Sequence, residues 1–170
     1  RILRRAAELG FPVFIHPIDW EGYGLVDPGF LHIFGWPFDT TLAVWRMMVG
    51  GVFDEIPSLR VIMHHMGGMI PYFFYRAENR LKRQGKSLST YMEHIYVDTA
   101  LDQNSVAALM LAYQFFGADR IMFGSDWPYA VDDSLKIGGN LAAIMAMPVP
   151  ERDRNAIMYD NAKKLLGLHV

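Results

Sequence analysis

The sequence predicts an α/β protein with a parallel sheet, and three observations lead to this fold class. Segments with helical periodicity alternate with short apolar runs in the order α-β-α-β-α-β-α-β-α. The apolar runs are rich in branched aliphatic and aromatic residues, as is typical of strands buried on both faces. Four of them end in a histidine or an aspartate. Since strands separated by helices pair in parallel, we expect these four ends to lie along one edge of the sheet.

The first quarter of the chain contains one strand between two helices. Residues 1–9 are expected to form a helix that stops at Gly10, because glycine favours helix ends. Residues 11–16 form the first strand. The segment 17–38 is rich in glycine, proline and aromatic residues, so we expect a long loop over the strand ends. A helix over 39–49, capped by its first or second residue, follows.

Three more strands, each with helical sequence after it, complete the pattern. A proline suits the first turn of the helix after the second strand, and Gly167 ends the last helix. The predicted strands are 60–64, 95–98 and 120–123, and the helices are 71–83, 105–116, 133–146 and 150–166.

Four βα units are either half of an eight-stranded barrel or a small open sheet. We expect residues 1–170 to form a single partial-barrel domain. The sequence begins at Arg1 inside helical sequence, without an initiator methionine, which indicates a fragment whose N-terminal half is absent. A half-barrel exposes two sheet edges and an apolar face, so we also expect a homo-oligomer.

Composition excludes several classes of partner. The formal net charge is −2, and no lysine- and arginine-rich run is present, so neither nucleic acid nor an anionic membrane is expected to bind. No apolar run reaches the roughly 18 residues of a membrane span. The absence of cysteine excludes disulfides and thiolate zinc sites. It is compatible with the cytoplasm, where we expect the protein to reside.

His16 and Asp126 are candidates for metal binding because of where they stand. His16 ends the first predicted strand, and Asp126 lies just beyond the fourth. His16 can instead be a core histidine bonded to a backbone carbonyl. A carboxylate such as Asp126 costs several kcal/mol if it is buried unpaired. It therefore needs a metal, a cation or a helix N-terminus.

The adjacent pair His64 and His65 is expected to contribute one functional side chain. Neighbours on an extended strand point to opposite faces, so at most one should face the site, and spacing alone does not say which. Asp98 is interpreted as structural, capping the turn that follows it. The aromatic residues Trp20, Trp36 and Trp127 can line a pocket for a flat substrate or can serve ordinary packing.

Five stretches in order carry a resemblance to a known family. They read FIHP (14–17), GVFDEIP (51–57), VIMHHMGG (61–68), YVDT (96–99) and FGSDWP (123–128). Together they resemble the amidohydrolase superfamily. The likeness is to the amidohydrolase-related branch that contains aminocarboxymuconate semialdehyde decarboxylase and γ-resorcylate decarboxylase.

The resemblance implies a (β/α)8 TIM barrel of which this chain supplies the C-terminal half, strands five to eight. It implies that His16 and Asp126 bind a divalent metal, zinc by preference or manganese. It further implies that His65, rather than His64, is catalytic and that Asp126 also carries a proton. The family's strand-one metal motif is absent from these residues.

The implied activity is that of a metal-dependent decarboxylase or hydrolase acting on a small carboxylated substrate, with aromatic acids among the candidates. The alternatives are a hydratase or lactonase on the same scaffold, or a catalytically inactive half-barrel.

Overall fold

A computed structural model describes residues 1–18, 28–101, 105–127 and 133–168, which form an α/β fold. Four strands form one sheet in the order β1-β2-β3-β4, and every neighbouring pair is parallel. The predicted parallel sheet is therefore confirmed. The strands are β1 (Val13–Ile15), β2 (Val61–Met63), β3 (Ile95–Asp98) and β4 (Ile121–Met122).

Helices lie before, between and after the strands, as the alternating pattern predicts. None of the helices in the described residues is long and apolar enough to cross a membrane. The α-helices longer than three residues are α1 (Ile2–Glu8), α2 (Trp36–Val49), α3 (Val52–Glu55), α4 (Ile70–Lys82), α5 (Leu88–Met92), α6 (Val106–Phe116), α7 (Asp133–Met145), α8 (Glu151–Asn155) and α9 (Asn161–Leu166).

The predicted loop over 17–38 is wrong for its second part. Residues 28–35 are helical: Pro28–Phe30 is α-helical and Leu31–Gly35 forms a π-helical turn that leads directly into α2. Pro37 is the second residue of α2, directly after this π-helical turn. The expected cap at residue 39 or 40 is wrong because the helical segment has already begun before these residues. Residues 19–27 lie outside the described part of the chain.

The core lies on one face of the sheet. Val61, Met63, Ile95 and Val97 have no solvent exposure and pack beneath helices. The opposite face carries Phe14, whose exposed fraction is 55%, together with a small cluster formed by Ile62, Met122 and Leu165 of α9. One face is thus packed by helices and the other remains partly open.

The strand register places the site residues in one row. Ile15 pairs with Met63, and Met63 pairs with Val97. His16, His64 and Asp98 directly follow these paired residues, so they lie side by side at the ends of adjacent strands. Asp98 pairs with Met122. Side chains alternate between the faces of a strand, so this row shares the open face with Phe14 and Ile62.

Candidate metal centre

Three side chains from different strand ends converge at the carboxyl edge of the sheet. His16, His65 and Asp126 each offer one nitrogen or oxygen atom, and these atoms all lie within 4.8 Å of one another. A bound divalent ion holds its ligands at about 2–2.5 Å, so atoms this close can share one ion. Two imidazoles and a carboxylate form a donor set suited to zinc or manganese.

His16 is oriented by the backbone next to it. Its Nδ1 lies 2.7 Å from the carbonyl oxygen of Pro17. A carbonyl oxygen can only accept, so Nδ1 carries the hydrogen and Nε2 of the neutral ring has the lone pair. This is the tautomer that a metal requires at Nε2. The carbonyl bond expected of a core histidine is present, but His16 is exposed.

His65 is buried, and one of its ring nitrogens is unsatisfied. Its exposed fraction is 7%, and its Nδ1 has no hydrogen-bond partner. Burial lowers the pKa of His65 below its ordinary value of 6.5, against the opposing charges of Asp98 and Asp126. The imidazole is therefore kept neutral, which is the form able to bind a metal or accept a proton.

Backbone strain is concentrated at the same place. In the described part of the chain, the non-glycine residues with left-handed backbone angles are His65 (φ 57°), Met66 (φ 56°) and Asp126 (φ 59°). Such conformations cost of the order of 1–3 kcal/mol each and persist where the surrounding structure imposes them. Two of the three strained residues belong to the converging cluster, which supports a functional role for that cluster.

Asp98 joins the two adjacent histidines. Its Oδ1 accepts the backbone N–H of His65 at 3.0 Å and that of Ala100 at 3.2 Å. Its Oδ2 lies 2.5 Å from Nδ1 of His64. The turn-capping role expected of Asp98 is confirmed by the contact to Ala100, but the same carboxylate also orders the site.

His64 lies in the site as well, which the sequence-based prediction excluded. The ring centroid of His16 is 4.9 Å from that of His64 and 5.7 Å from that of His65. The prediction of opposite directions is wrong because β2 ends at Met63 and the chain turns at His65. His64 lies two residues after Ile62, whose side chain is on the open face. This spacing is the sequence signal that places His64 on the same face.

Although burial opposes protonation, the hydrogen bond to Asp98 and the charges of Asp98 and Asp126 raise the pKa of His64. The two neighbouring histidines are therefore shifted in opposite directions.

A cavity of about 460 Å³ opens beside the converging side chains. Phe14, His16, His64, Asp126 and Trp127 are among the residues that line it. The two aromatic side chains are exposed, by 55% and 62%. Their flat faces suit a planar ligand.

Of the three tryptophans proposed to line a pocket, Trp127 borders the main cavity. Trp36 borders a second cavity of about 280 Å³ together with His65 and Asp126. Its ring is stacked on that of His65, with the centroids 6.2 Å apart. Trp20 lies outside the described residues.

The loop that carries Asp126 is fastened by a buried amide. Nδ2 of Asn140 in α7 donates to the carbonyl oxygens of Thr99 at 3.0 Å and Gly124 at 2.6 Å. The hydroxyl of Thr99 accepts the N–H of Gly124 at 3.1 Å. These bonds tie the ends of β3 and β4 together two residues before Asp126.

Comparisons with known proteins place this geometry in a family. A family model described as amidohydrolase matches residues 1–168. The chain is 28% identical over 156 residues to a 6-methylsalicylic acid decarboxylase of Penicillium expansum, covering 87% of this chain and 47% of that protein. It is 28% identical over 176 residues to a γ-resorcylate decarboxylase of Polaromonas sp., covering 95% of this chain and 52% of that protein.

The fold also matches solved structures. A 5-carboxyvanillate decarboxylase from Novosphingobium aromaticivorans, complexed with manganese and 4-hydroxy-3-methoxy-5-nitrobenzoic acid, superimposes with a TM-score of 0.82. The sequences are 26% identical, and the match covers 98% of this chain and 51% of that one. The chain thus spans about half the length of the relatives it matches, and its four parallel βα units correspond to half of a TIM barrel. The predicted resemblance is confirmed, and the chain belongs to the amidohydrolase family.

Proposed function

We propose that the full-length protein is a metal-dependent decarboxylase of small aromatic hydroxy acids. The observation that carries this proposal is the convergence of His16, His65 and Asp126 within 4.8 Å beside a cavity that two exposed aromatic side chains border. The relatives named for decarboxylation of 6-methylsalicylic and γ-resorcylic acid support the choice of reaction over hydrolysis.

The residues present fit a divalent metal ion. Nδ1 of His65 is buried without a hydrogen-bond partner. An unsatisfied buried polar atom costs about 1–3 kcal/mol, and a bound ligand would remove that cost. His16 has the tautomer that leaves Nε2 unprotonated. Asp126 supplies the negative charge. We propose that these three side chains form the part of the metal centre that this chain contributes, with His65 also the catalytic histidine and Asp126 also handling a proton.

We propose manganese ahead of zinc as the metal. The sequence-based preference for zinc is not supported by the solved relative, which holds manganese. A set of two nitrogens and one oxygen without thiolates suits either ion. Metal content of the purified full-length protein, measured by mass spectrometry, distinguishes them.

When bound, such an ion supplies Lewis acidity that polarises the oxygens of the substrate. The chain's own residues then have defined tasks. His65 remains neutral because it is buried, and its ring holds its place against Trp36. Phe14 and Trp127 confine a planar ring at the cavity mouth.

Decarboxylation requires a proton on the ring carbon that carries the carboxylate. We assign its delivery to Asp126, which lies in the cavity wall and takes up a proton from solvent water before passing it to the ring. The bond to the carboxylate then breaks, its electron pair returns to the ring, and carbon dioxide leaves. Asp126 is left as the carboxylate with which the cycle began.

The test is carbon dioxide release by full-length protein loaded with manganese or zinc. The substrates are 2,6-dihydroxybenzoate, 6-methylsalicylate and 2-hydroxybenzoate, with a panel of lactones assayed for hydrolysis. We expect carbon dioxide from at least one acid and none after chelation. Lactone hydrolysis without carbon dioxide release would favour the hydrolase alternative, and no turnover of any compound would favour an inactive protein.

We extend the proposal to domain organisation and assembly. We propose that the 170 residues form one domain, with its large core cluster on one face of the sheet, and that they associate with a further copy of the protein. A single unfolding transition in calorimetry and a mass above that of the monomer in light scattering are the expected results. Two transitions or a monomeric mass would contradict the respective part.

A further inference from the structure

The pair formed by His64 and Asp98 is not used by the mechanism above, although it borders the same cavity. Nδ1 of His64 and Oδ2 of Asp98 lie 2.5 Å apart, within hydrogen-bond distance, and the carboxylate makes the bond charge-assisted. The side chain of Asp98 is only 8% exposed, and its other oxygen is held by two backbone N–H groups. The carboxylate is therefore a fixed partner that sets the orientation of the imidazole.

This orientation leaves a second polar edge of the ring. With Nδ1 directed at Asp98, Nε2 lies on the opposite side of the imidazole. The side chain of His64 is 19% exposed and lines the main cavity between Phe14 and the converging ligands. Its ring centroid is 5.9 Å from that of Phe14 and 4.9 Å from that of His16.

We infer that His64 is a specificity-determining residue whose Nε2 hydrogen-bonds to a hydroxyl oxygen on the substrate's ring, with Asp98 as its positioning residue. The inference rests on the proposed function, since it assumes that an aromatic acid occupies this cavity. A ring hydroxyl can donate to an unprotonated Nε2 and can accept from a protonated one, so it fits the edge in either form. A methyl group or a hydrogen at that position leaves the edge unpaired.

The discrimination follows from the cost of an unpaired polar edge. A site built to bond a hydroxyl rejects the analogue that lacks it, because the protein's own polar group then loses its water without gaining a partner. One such bond changes binding by about tenfold. His64 should therefore influence which hydroxylated ring binds, without influencing whether the metal binds.

Two substitutions separate the two edges of the imidazole. In His64→Asn the amide takes the place of Nδ1 and keeps the bond to Asp98, but nothing replaces Nε2. In His64→Gln the longer side chain returns an amide group to the position of Nε2. Asp98→Asn is a third variant: its amide donates to Nδ1 and puts the hydrogen on Nε2, so the hydroxyl must accept rather than donate, and the preference for a hydroxyl should remain.

The experiment measures binding to manganese-loaded full-length protein by calorimetry. The probes are 2-nitrophenol and its four singly hydroxylated derivatives, whose nitro group imitates a carboxylate and cannot leave as carbon dioxide. We expect the wild type to bind at least one derivative about tenfold more tightly than 2-nitrophenol. His64→Asn should lose this preference while retaining its manganese, and His64→Gln should retain most of it.

The results that overturn the inference are equally definite. Equal binding of all five probes by the wild type, or an unchanged preference in His64→Asn, would exclude this role for His64. Loss of manganese in His64→Asn would assign the residue to the metal instead. Because the probes are not turned over, these outcomes do not depend on carbon dioxide release, which tests the proposed function separately.

Discussion

The two faces of the four-stranded sheet differ in what they contribute. On the face covered by helices, Val61, Met63 and Val97 are completely buried and contact a large apolar core. On the open face, Phe14 is 55% exposed, and the row that follows it consists of polar, titratable side chains. Burial of apolar surface stabilises the fold at about 25 cal/mol per Å². The covered face therefore carries most of the stability, and we propose that the open face carries the chemistry.

This division explains why strained and unsatisfied groups are tolerated at the carboxyl edge of the sheet, next to the open face. The left-handed backbone of His65 and Asp126 and the unpaired Nδ1 of His65 each cost free energy. A large core on the other face offsets such costs. Substitutions on the covered face should therefore mainly reduce stability, and substitutions on the open face should mainly reduce activity.

The largest expected effect is on activity and comes from the open face. Asp126→Asn preserves the shape of the side chain and tolerates the left-handed backbone, but it removes the charge and the transferable proton. We expect carbon dioxide release to fall at least about 1,000-fold, which corresponds to roughly 4 kcal/mol of transition-state stabilisation. The free energy of unfolding without metal should change by less than about 1 kcal/mol.

The control for this variant is Asp160→Asn, which alters an exposed carboxylate on the last helical segment. It should leave turnover unchanged. A large loss of metal-free stability in Asp126→Asn, or retained turnover, would contradict the division between the faces.

The next effect is on stability and comes from the covered face. Met63→Ala leaves a cavity in a fully buried position and should reduce the free energy of unfolding by about 2–5 kcal/mol. Phe14→Ala removes a larger side chain from a position that is half exposed in these 170 residues and should cost clearly less. Denaturant titration of both variants in a chain of these 170 residues checks the order. A larger loss for Phe14→Ala would contradict the division between the faces.

The comparison also shows which parts of the molecule the sequence could predict. The strand over Ile95–Asp98 was predicted at its exact limits, because the short apolar run 95–97 lies between polar neighbours. The helical segment over 28–38 was predicted as a loop, since glycine and proline usually interrupt helices. A π-helical turn at Leu31–Gly35 joins the α-helical residues on either side of it, and no periodicity signals such a turn in advance.

The candidate site was only partly predictable for a similar reason. His16 and Asp126 follow strands, so the rule that parallel strand ends share an edge identifies them. The place of His64 depends on a turn of the backbone at His65 (φ 57°), where a strand prediction assumes an extended chain. The role of Asp98 depends on side-chain contacts across two strands, which a single sequence does not reveal.

A smaller effect on stability tests the turn after β2. A Cβ added at Gly67 would lie 2.6 Å from Cζ of Phe116, and the backbone there has φ of +79°. Gly67→Ala should therefore cost about 2–4 kcal/mol, through both the backbone conformation and the clash. Gly85 has φ of +71° with no atom within 4 Å of an added Cβ, so Gly85→Ala isolates the backbone contribution of about 1 kcal/mol. Thermal denaturation of the two variants should rank them in this order, and equal losses would exclude the clash.

The smallest effect is on pH dependence and compares the two adjacent histidines in chelator-treated protein. The pKa of His64 is raised above its ordinary value of 6.5 by Asp98, despite the opposing effect of burial. Its stabilisation is complete below that value and is lost as the pH rises through the pKa of the folded state. Burial lowers the pKa of His65, so its stabilisation is complete above 6.5 and is lost as the pH falls through the folded-state pKa.

Unfolding titrations between about pH 5 and pH 8 on His64→Asn and His65→Asn check these signs. The difference from the wild type should shrink towards alkaline pH for His64→Asn and towards acidic pH for His65→Asn. Differences that shrink in the same direction would mean that the two imidazoles do not occupy contrasting environments.

Manganese content per chain, measured on the full-length protein after exhaustive dialysis, tests most directly whether the side chains at positions 16, 65 and 126 form a metal centre. We expect about one ion in the wild type and in His64→Asn, and a strong loss in His16→Ala, His65→Ala and Asp126→Asn. A full complement of manganese in His16→Ala or Asp126→Asn would show that the ion is held elsewhere and would contradict the account.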